Sequence, residues 1–311
     1  MRILEACPGN AVTGGPEAIH QFISNLNKID GIDAAVWYWN SNSSDPCPPE
    51  YKKYNCDYIT ELPPDYDGVL ILPEIWAKHI HDYPARIRAI HWLGLDAYAM
   101  WTPVERRGDF LEDDEIFHLV QSEYARDLMS RLGVKHLYKI DDSLNDDFYA
   151  EYDEAPRSDT ILYNPAKMTQ FMEALMRSCQ EFSWRPIAGM TRAQVIEAMR
   201  SSKLYVDFGE FPGRERIPRE AVLCGCCIIT SKIGSAAYDG DFAHRYKFES
   251  KPGHIWAIKR MIRYVLDNYD ECRKDFDLFR IKLNEDKKKL IEQTMEIGRA
   301  FHEVFDSYSG A

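Results

Sequence analysis

Apolar runs alternate with amphipathic stretches along most of the chain. In the first half the strand-like runs are RILEAC, AAVWYW, GVLILP, IRAIHWL and IFHLVQS. Helical spacing predicts an amphipathic helix over Pro16 to Asn27, with an apolar face of Ile19, Phe22, Ile23 and Leu26. SEYARDLMSRLG predicts another helix, with Ser122 as its N-cap and Gly133 as its stop. The polar segment from Asn40 to Pro64 is expected to be mostly loop.

The composition changes between Asp141 and Ser158, where DDSLNDDFYAEYDEAPRS is acidic and has no period. This segment is the best candidate for a domain linker. The alternation then resumes: TILYN, WRPIAG, LYVDFG and CCIITS predict strands, and the predicted helices cover Lys167 to Gln180, Thr191 to Ser201 and Pro218 to Cys224. From His254 onward the pattern is helical.

Strand–helix alternation on both sides of a linker predicts an α/β protein with two Rossmann-like parallel-sheet domains facing a cleft. We expect the domains to cover residues 1–150 and 151–311, with C-terminal helices that can cross back to the first domain. The alternative is a single large α/β domain whose acidic segment is a surface loop.

Charge and composition narrow the functional classes. The 311 residues carry a formal net charge of -12, which argues against a nucleic-acid partner. No leader-like N-terminal segment and no apolar run of about 20 residues is present, and the eight cysteines lack regular spacing, so we expect reduced thiols in the cytoplasm. The CGCC cluster lacks a second ligand pair at zinc spacing, and small residues at a helix–strand junction explain it better than a metal site.

A basic cluster stands out against this acidic background. In DFGEFPGRERIPREA, Arg214 and Arg216 lie between a predicted strand and a predicted helix, and Arg219 lies at the start of that helix. A helix N-terminus and arginine side chains both favour phosphate, and Gly213 allows close approach of the backbone to a ligand. We interpret the cluster as a diphosphate site; a surface network of ion pairs with the neighbouring glutamates is the alternative.

Other motifs exclude competing chemistries. Gly14 and Gly15 follow the first predicted strand, but CPGNAVTGGPEA lacks the GxGxxG spacing of a nicotinamide-binding domain. GxxxxGK[ST], GxSxG and HExxH are absent as well. His91 and His118 lie inside apolar runs and are expected to be core residues.

The segment from Tyr163 to Ala237 resembles the nucleotide-sugar-binding half of GT-B glycosyltransferases. The residues that carry the resemblance are YNPAK, DFGEFPGRERIPREA and the small-residue turn GSA after CCIITS. The resemblance extends more weakly over Arg2 to Phe248 and is closest to a bacterial group with a retaining mechanism. It implies a transfer of sugar from a nucleotide diphosphate donor to a hydroxyl of a glycan or lipid-linked acceptor.

Carried over residue by residue, the resemblance places donor binding in the second domain. Lys167 and one of the three arginines would hold phosphates, and Glu220 would accept the ribose hydroxyls. Asn164 and Ser235 would lie beside the donor, while Gly14 and Gly15 would form a loop of the acceptor-side first domain.

Two carboxylates are candidates for catalysis. The family's first glutamate would fall on Pro212, so Glu210 is the nearest replacement. Asp96 follows the predicted strand IRAIHWL, at the rim where a general base for an acceptor hydroxyl is needed, although it can equally cap a helix. Glu74 is a further rim residue, and the aromatic runs VWYWN and HWLGLDAYAMW suit stacking on sugar rings as well as core packing.

We therefore expect a metal-independent hexosyltransferase without a cofactor, acting in polysaccharide biosynthesis. It would be cytoplasmic. A peripheral contact with anionic lipid at the inner membrane face is an open alternative, for which the candidate residues are Arg86, Arg88, Arg106 and Arg107. Two alternatives share the donor pocket: a non-catalytic nucleotide-sugar or glycan-binding relative, and a nucleotide-sugar epimerase of the same form.

Overall fold

The computed structural model describes residues 1–39, 41, 43–95, 110–151 and 156–309. The chain divides into two compact units. Unit 1 comprises Met1–Ser143 together with the C-terminal residues from Asp286, and unit 2 comprises Leu144–Glu285. The first boundary falls inside the acidic segment that the sequence marks as a linker.

Within its described residues, unit 1 contains a seven-stranded parallel sheet in the order β3-β2-β1-β4-β5-β6-β7. The strands are β1 (Arg2–Pro8), β2 (Asp33–Trp39), β3 (Asp57–Ile59), β4 (Val69–Pro73), β5 (Ile87–Trp92), β6 (Phe117–Val120) and β7 (His136–Lys139). Five of them confirm the apolar runs of the sequence. The edge strands β3 and β7 were not predicted, because β3 is short and mostly exposed and β7 is only half-buried.

Two helices of unit 1 confirm the sequence pattern closely. They are α1 (Gly14–Leu26) and α2 (Glu123–Leu132). The predicted apolar face of α1 is almost fully buried in the core. Ser122 caps α2 by accepting a hydrogen bond from the Ala125 amide (3.0 Å), and Gly133 ends it in the left-handed region at φ 77°.

In unit 2 the described residues form a five-stranded parallel sheet in the order β12-β11-β10-β8-β9. The strands are β8 (Ser158–Tyr163), β9 (Ser183–Pro186), β10 (Ser202–Asp207), β11 (Cys227–Ser231) and β12 (Lys247–Phe248). The remaining α-helices of the described residues are α3 (Gln170–Ser178), α4 (Arg192–Ser201), α5 (Arg216–Leu223), α6 (Ile255–Asp267), α7 (Tyr269–Cys272) and α8 (Asp277–Ser309).

Helix α8 begins in unit 2 and continues into unit 1. Its later turns supply Leu290, Ile297 and Phe301 to the core on one side of the unit 1 sheet, beside the apolar face of α1. A second apolar cluster fills the other side of that sheet, and unit 2 has a core of its own. The unit 1 sheet is thus covered on both faces, as parallel sheets require.

Several helix limits differ from the expected ones. Helix α3 starts at Gln170 because the Thr169 hydroxyl caps it (3.1 Å from the Met172 amide), whereas Lys167 lies in the short 3-10 helix Pro165–Lys167. Helix α4 begins with a capping box of Thr191 and Gln194, as its predicted threonine cap requires. The CGCC cysteines are buried free thiols: Cys224 and Cys226 lie between α5 and β11, and Cys227 begins β11.

Candidate functional site

The loop of residues 208–215, which we call the donor loop, joins β10 to α5 in unit 2. Strand β10 lies in the middle of the parallel sheet, with β8 and β11 as its neighbours. The chain segments that follow β8, β10 and β11 therefore leave the sheet at one edge. This carboxyl edge is where open α/β sheets bind their ligands.

Asp207 fixes the start of the donor loop. One of its carboxylate oxygens accepts a hydrogen bond from the Gly209 amide, and the other accepts one from the Tyr205 hydroxyl, both at 2.8 Å. Burial raises the pKa of Asp207, and the positive charge of Lys167 works against that rise. A side chain at Gly209 would place its Cβ 2.9 Å from the Cβ of Lys167, so glycine allows the two segments to approach.

The turn after β11 holds the other side of the donor loop. Gly234 adopts φ 50°, and a Cβ there would lie 2.1 Å from the carbonyl oxygen of Phe211. The Ser235 amide donates to that same carbonyl (2.9 Å), and the Ser235 hydroxyl donates to the carbonyl of Gly213. Ser235 is fully buried, so in this structure it supports the loop from behind.

Lys167 closes over the donor loop from the β8 side. Its ammonium group donates to the carbonyl of Glu210 (2.9 Å), pairs with the carboxylate of Glu215 (2.5 Å) and lies 5.3 Å from the ring centre of Phe211. Its side chain keeps 25% of its surface exposed. Burial raises the pKa of Glu215, and Lys167 opposes this by stabilising the carboxylate.

The three arginines take different positions. Arg214 is buried, with its Nε 3.8 Å from a carboxylate oxygen of buried Asp241. Arg216 begins α5 and lies with its Nε 3.9 Å from Glu220, one turn further along the helix. Arg219 has no exposed surface and donates to the carbonyls of Glu215 (3.1 Å) and Arg214 (2.6 Å). Arg219 thereby holds the end of the donor loop.

Helix α5 starts two residues earlier than expected. Pro218 is its third residue, so it removes one backbone donor from the helix N-terminus. Glu220 was expected in the first turn; this was wrong, because it is the fifth residue of the helix and faces Arg216 from the second turn.

Three further candidates of unit 2 lie at the same edge. Asn164 caps the short 3-10 helix, with its side-chain oxygen accepting from the Ala166 amide (3.0 Å). Gly213 is buried in the donor loop, where its carbonyl binds Ser235. Glu210 is exposed, and its backbone carbonyl binds Lys167.

In unit 1 the expected glycine loop is a helix start. Gly14 and Gly15 were predicted to lie in a loop, which was wrong: they are the first two residues of α1, after the N-cap Thr13. A Cβ on Gly15 would lie 3.3 Å from the side chain of Leu93, so this helix start packs closely against the segment that follows β5.

Glu74 fixes that segment of unit 1. Its buried carboxylate accepts hydrogen bonds from the amides of Leu93 (3.0 Å) and Gly94 (3.1 Å). Burial raises the pKa of Glu74 to about 7 against the opposing effect of these amides. The catalytic candidate Asp96, which follows in the chain, lies outside the described residues.

The two histidines inside strands are core residues, as the sequence predicts. His91 pairs with Glu5 (2.7 Å) with both side chains buried, and His118 accepts from the indole of Trp92 (3.1 Å). Burial lowers the pKa of His118 to about 4.

Two other kinds of feature are absent from the described ranges. Over those ranges, no cluster of three or more His, Cys, Asp or Glu side chains is arranged to hold a metal ion. Nor does any helix in that part of the chain combine the length and the apolarity needed to cross a membrane.

Solved structures share this architecture over the whole chain. A glycosyltransferase from Rickettsia africae superposes with a TM-score of 0.65 at 12% identity, covering 96% of this chain and 98% of that one. Sucrose-phosphate synthase from Thermosynechococcus elongatus gives 0.66 at 11% identity, covering 98% and 99%. Anabaena HepE in complex with UDP and glucose gives 0.61 at 11% identity, covering 99% and 100%.

These similarities confirm that the chain has the GT-B fold of glycosyltransferases, with two parallel-sheet α/β domains and C-terminal helices. No protein-family model matches the sequence, and no curated protein does either.

Proposed function

We propose that this protein is a glycosyltransferase that moves a sugar from a nucleotide diphosphate donor to a hydroxyl of a glycan or lipid-linked acceptor. The observation that carries the proposal is the gathering of Lys167, Arg214 and Arg216 around one loop at the carboxyl edge of the unit 2 sheet. The GT-B neighbour that contains UDP and glucose supports a nucleotide-sugar donor.

In this proposal the diphosphate binds at the exposed side of the donor loop. The side chains of Lys167 and Arg216 are partly exposed, at 25% and 14%, and each already pairs with a carboxylate, Glu215 or Glu220. A diphosphate would replace the two carboxylates and accept charge-assisted hydrogen bonds from both cations. Glu220 would then be available to accept the ribose hydroxyls, and Asn164 would line the same edge.

The buried members of the cluster act as positioning residues. Arg219 donates to the backbone carbonyls of Glu215 and Arg214, and Ser235 donates to the carbonyl of Gly213. These hydrogen bonds hold the donor loop, which leads into Arg216. Arg214, a buried residue of the donor loop, adds positive charge that the carboxylate of Asp241 partly offsets. Preorganised charge of this kind stabilises a leaving diphosphate without being reorganised during the reaction.

The reaction forms a bond between the acceptor oxygen and the anomeric carbon and breaks the bond from that carbon to the diphosphate. The bonding electrons leave with the diphosphate, where Lys167 and Arg216 offset the added charge. The acceptor's proton passes to a base, for which Asp96 and Glu210 are the candidate carboxylates. Metal independence, a hexosyl donor and a cytoplasmic role in polysaccharide biosynthesis belong to the same proposal.

Hydrolysis of the donor separates the enzyme from its alternatives. Purified protein is incubated with a panel of nucleotide sugars without acceptor, and released nucleoside diphosphate is measured. Slow release by the wild type, reduced at least tenfold by Lys167→Met and Arg216→Met, is the expected result. Arg177→Met, which removes an exposed charge from α3, serves as the control and should leave the rate unchanged.

A protein that binds nucleotide sugars but releases no diphosphate is a binding relative. Interconversion of two nucleotide sugars, without release of diphosphate, identifies an epimerase. Either outcome contradicts the proposed transfer.

A further inference from the structure

Glu215 is the last residue of the donor loop and the N-cap of α5. Among the described residues its carboxylate pairs with the ammonium group of Lys167 at 2.5 Å and does not cap the helix. Both side chains are mostly covered, with 22% and 25% of their surfaces exposed. The pair therefore joins the donor loop to the segment that follows β8, and solvent screens it only weakly.

The ammonium group of Lys167 is already engaged on this loop. It has three N–H donors, of which one binds the carbonyl of Glu210 (2.9 Å) and one meets the carboxylate of Glu215. The ring centre of Phe211 lies 5.3 Å from its nitrogen. A carboxylate and a phosphate held by one ammonium group repel each other. Glu215 and a diphosphate thus compete for Lys167.

Four titratable groups from three elements face Glu215. They are Lys167 after β8, Tyr205 and Asp207 on β10, and Arg219 on α5. Burial raises the pKa of Glu215, and Lys167 gives the largest opposing effect through its charge and its hydrogen bond. Asp207 raises that pKa further, and Arg219 lowers it by a smaller amount. Lys167 is therefore the group that chiefly keeps Glu215 ionised.

The arginines of the cluster have partners other than the Glu215 carboxylate. Arg214 and Arg216 each lie beside another carboxylate, at 3.8 and 3.9 Å, and Arg219 donates to backbone carbonyls. A diphosphate that engages Lys167 takes away the main opposite charge of Glu215 and brings a second anion close to it. Both changes favour the protonated carboxyl.

Asp207 is the other carboxylate that would lose the field of Lys167. Its two oxygens accept hydrogen bonds from the Gly209 amide and the Tyr205 hydroxyl, both at 2.8 Å. These donors stay in place when Lys167 turns to a ligand, and they stabilise the charged form. Within the described residues the Glu215 carboxylate has Lys167 as its partner, so Glu215 is the better acceptor of a proton.

We infer that Glu215 exchanges Lys167 for a proton when a diphosphate binds. Its carboxylate releases the ammonium group to the phosphate oxygens and takes up one proton from the solvent, and no other covalent bond changes. The inference rests on the proposed function, because it requires a diphosphate at the donor loop. Glu215 is then a positioning residue, which holds Lys167 on the loop in the absence of donor.

The sign of the pH dependence follows from this exchange. The pKa of Glu215 is higher in the complex than in the free protein, so binding is strongest below both pKa values and weakens as the pH rises through the higher one. One linked proton changes the dissociation constant by up to about tenfold per pH unit. The terminal phosphate of the ligand acts in the opposite direction, because cations lower its pKa and make it release protons.

Calorimetric titration of the full-length protein counts the protons. UDP, GDP and ADP are titrated at pH 6, 7 and 8 in buffers that differ in ionisation enthalpy. The ligand that binds the wild type is expected to bring a net uptake of up to one proton at one or more of these pH values. This wild-type measurement does not depend on how well any variant folds.

Glu215→Gln keeps the shape of the side chain but cannot ionise. It should lose the proton uptake, and it should bind the nucleotide about 3-fold or more tightly than the wild type at pH 8, because the competing charge is gone. Glu271→Gln is the matched control in unit 2, since it removes the carboxylate of an exposed pair with Lys274 (2.9 Å). It should keep both the affinity and the proton uptake of the wild type.

The outcomes separate this inference from the proposed function. Binding with the same proton exchange in the wild type and in Glu215→Gln overturns the inference alone, and a shared uptake would assign the proton to Asp207. Net release of protons by the wild type at every pH also overturns it. If none of the three nucleotides binds the wild type or Glu215→Gln, the inference fails together with the donor site.

Discussion

The pH dependence of stability should reveal the buried carboxyl of Glu74. Its pKa is raised from 4.5 to about 7, chiefly by burial, while in the unfolded chain it returns to the ordinary value. Between these two values the folded protein holds one proton more than the unfolded chain. Folding stability therefore falls as pH rises, and the contribution of the protonated carboxyl is lost as pH passes through about 7.

The size of the effect follows from the pKa values of the folded and unfolded states. A tenfold difference in acid dissociation constant corresponds to about 1.36 kcal/mol, so raising the pH from 5 to 8 should cost the wild type about 2.5 kcal/mol relative to a variant that cannot ionise there. Glu74→Gln is that variant. It keeps a carbonyl oxygen for one of the two amides, Leu93 or Gly94, and loses the other hydrogen bond at every pH.

The assay is urea unfolding at several pH values between 5 and 8, followed by the fluorescence of unit 1, which contains most of the tryptophans. The quantity compared is the difference in unfolding free energy between the wild type and Glu74→Gln. Glu50→Gln, at an exposed position, controls for the loss of a charge. If the difference between the wild type and Glu74→Gln stays constant from pH 5 to 8, the buried, protonated state of Glu74 is refuted.

Two further predictions concern the donor loop. Gly234→Ala should destabilise unit 2 by about 1–2 kcal/mol or more and weaken nucleotide binding, because the added Cβ meets the Phe211 carbonyl and a left-handed φ disfavours alanine. Thermal unfolding and nucleotide-binding assays measure the two effects. In the same assays Gly253→Ala should be nearly neutral, because nothing lies within 4 Å of the added Cβ. Arg219→Met should lower both stability and nucleotide affinity, because two loop carbonyls lose a buried charged donor. Arg216→Met should lower nucleotide affinity with little change in melting temperature. Equal effects of the two variants on stability would contradict the different positions of the two arginines.

The strands of both sheets were largely predictable because parallel strands are buried on both faces and read as continuous apolar runs. Strand β3 was not, since its three residues are mostly exposed and carry no apolar run. The limits of α5 were missed for another reason. Pro218 favours a position in the first turn, but that position need not be the first residue, and here the helix begins two residues earlier at Arg216.

The cationic motif of the candidate site was visible in the sequence, but the sequence did not show which of its arginines are buried or which groups they contact. Arginine is rarely buried, so no local pattern predicted that Arg219 would be enclosed and bound to backbone carbonyls. The partnership of Gly234 with Phe211, and of Arg214 with Asp241, joins residues more than twenty positions apart. Such pairings depend on the sheet order and not on sequence spacing.

The most direct test of the central claim is calorimetric titration of the protein with a panel of nucleoside diphosphates. The account predicts that at least one binds the wild type, that Lys167→Met and Arg216→Met each weaken it about tenfold or more, and that the charge-matched Arg177→Met binds like the wild type. Failure of every nucleoside diphosphate to bind, or equal binding by all three variants, would contradict the assignment of the donor loop as the diphosphate site.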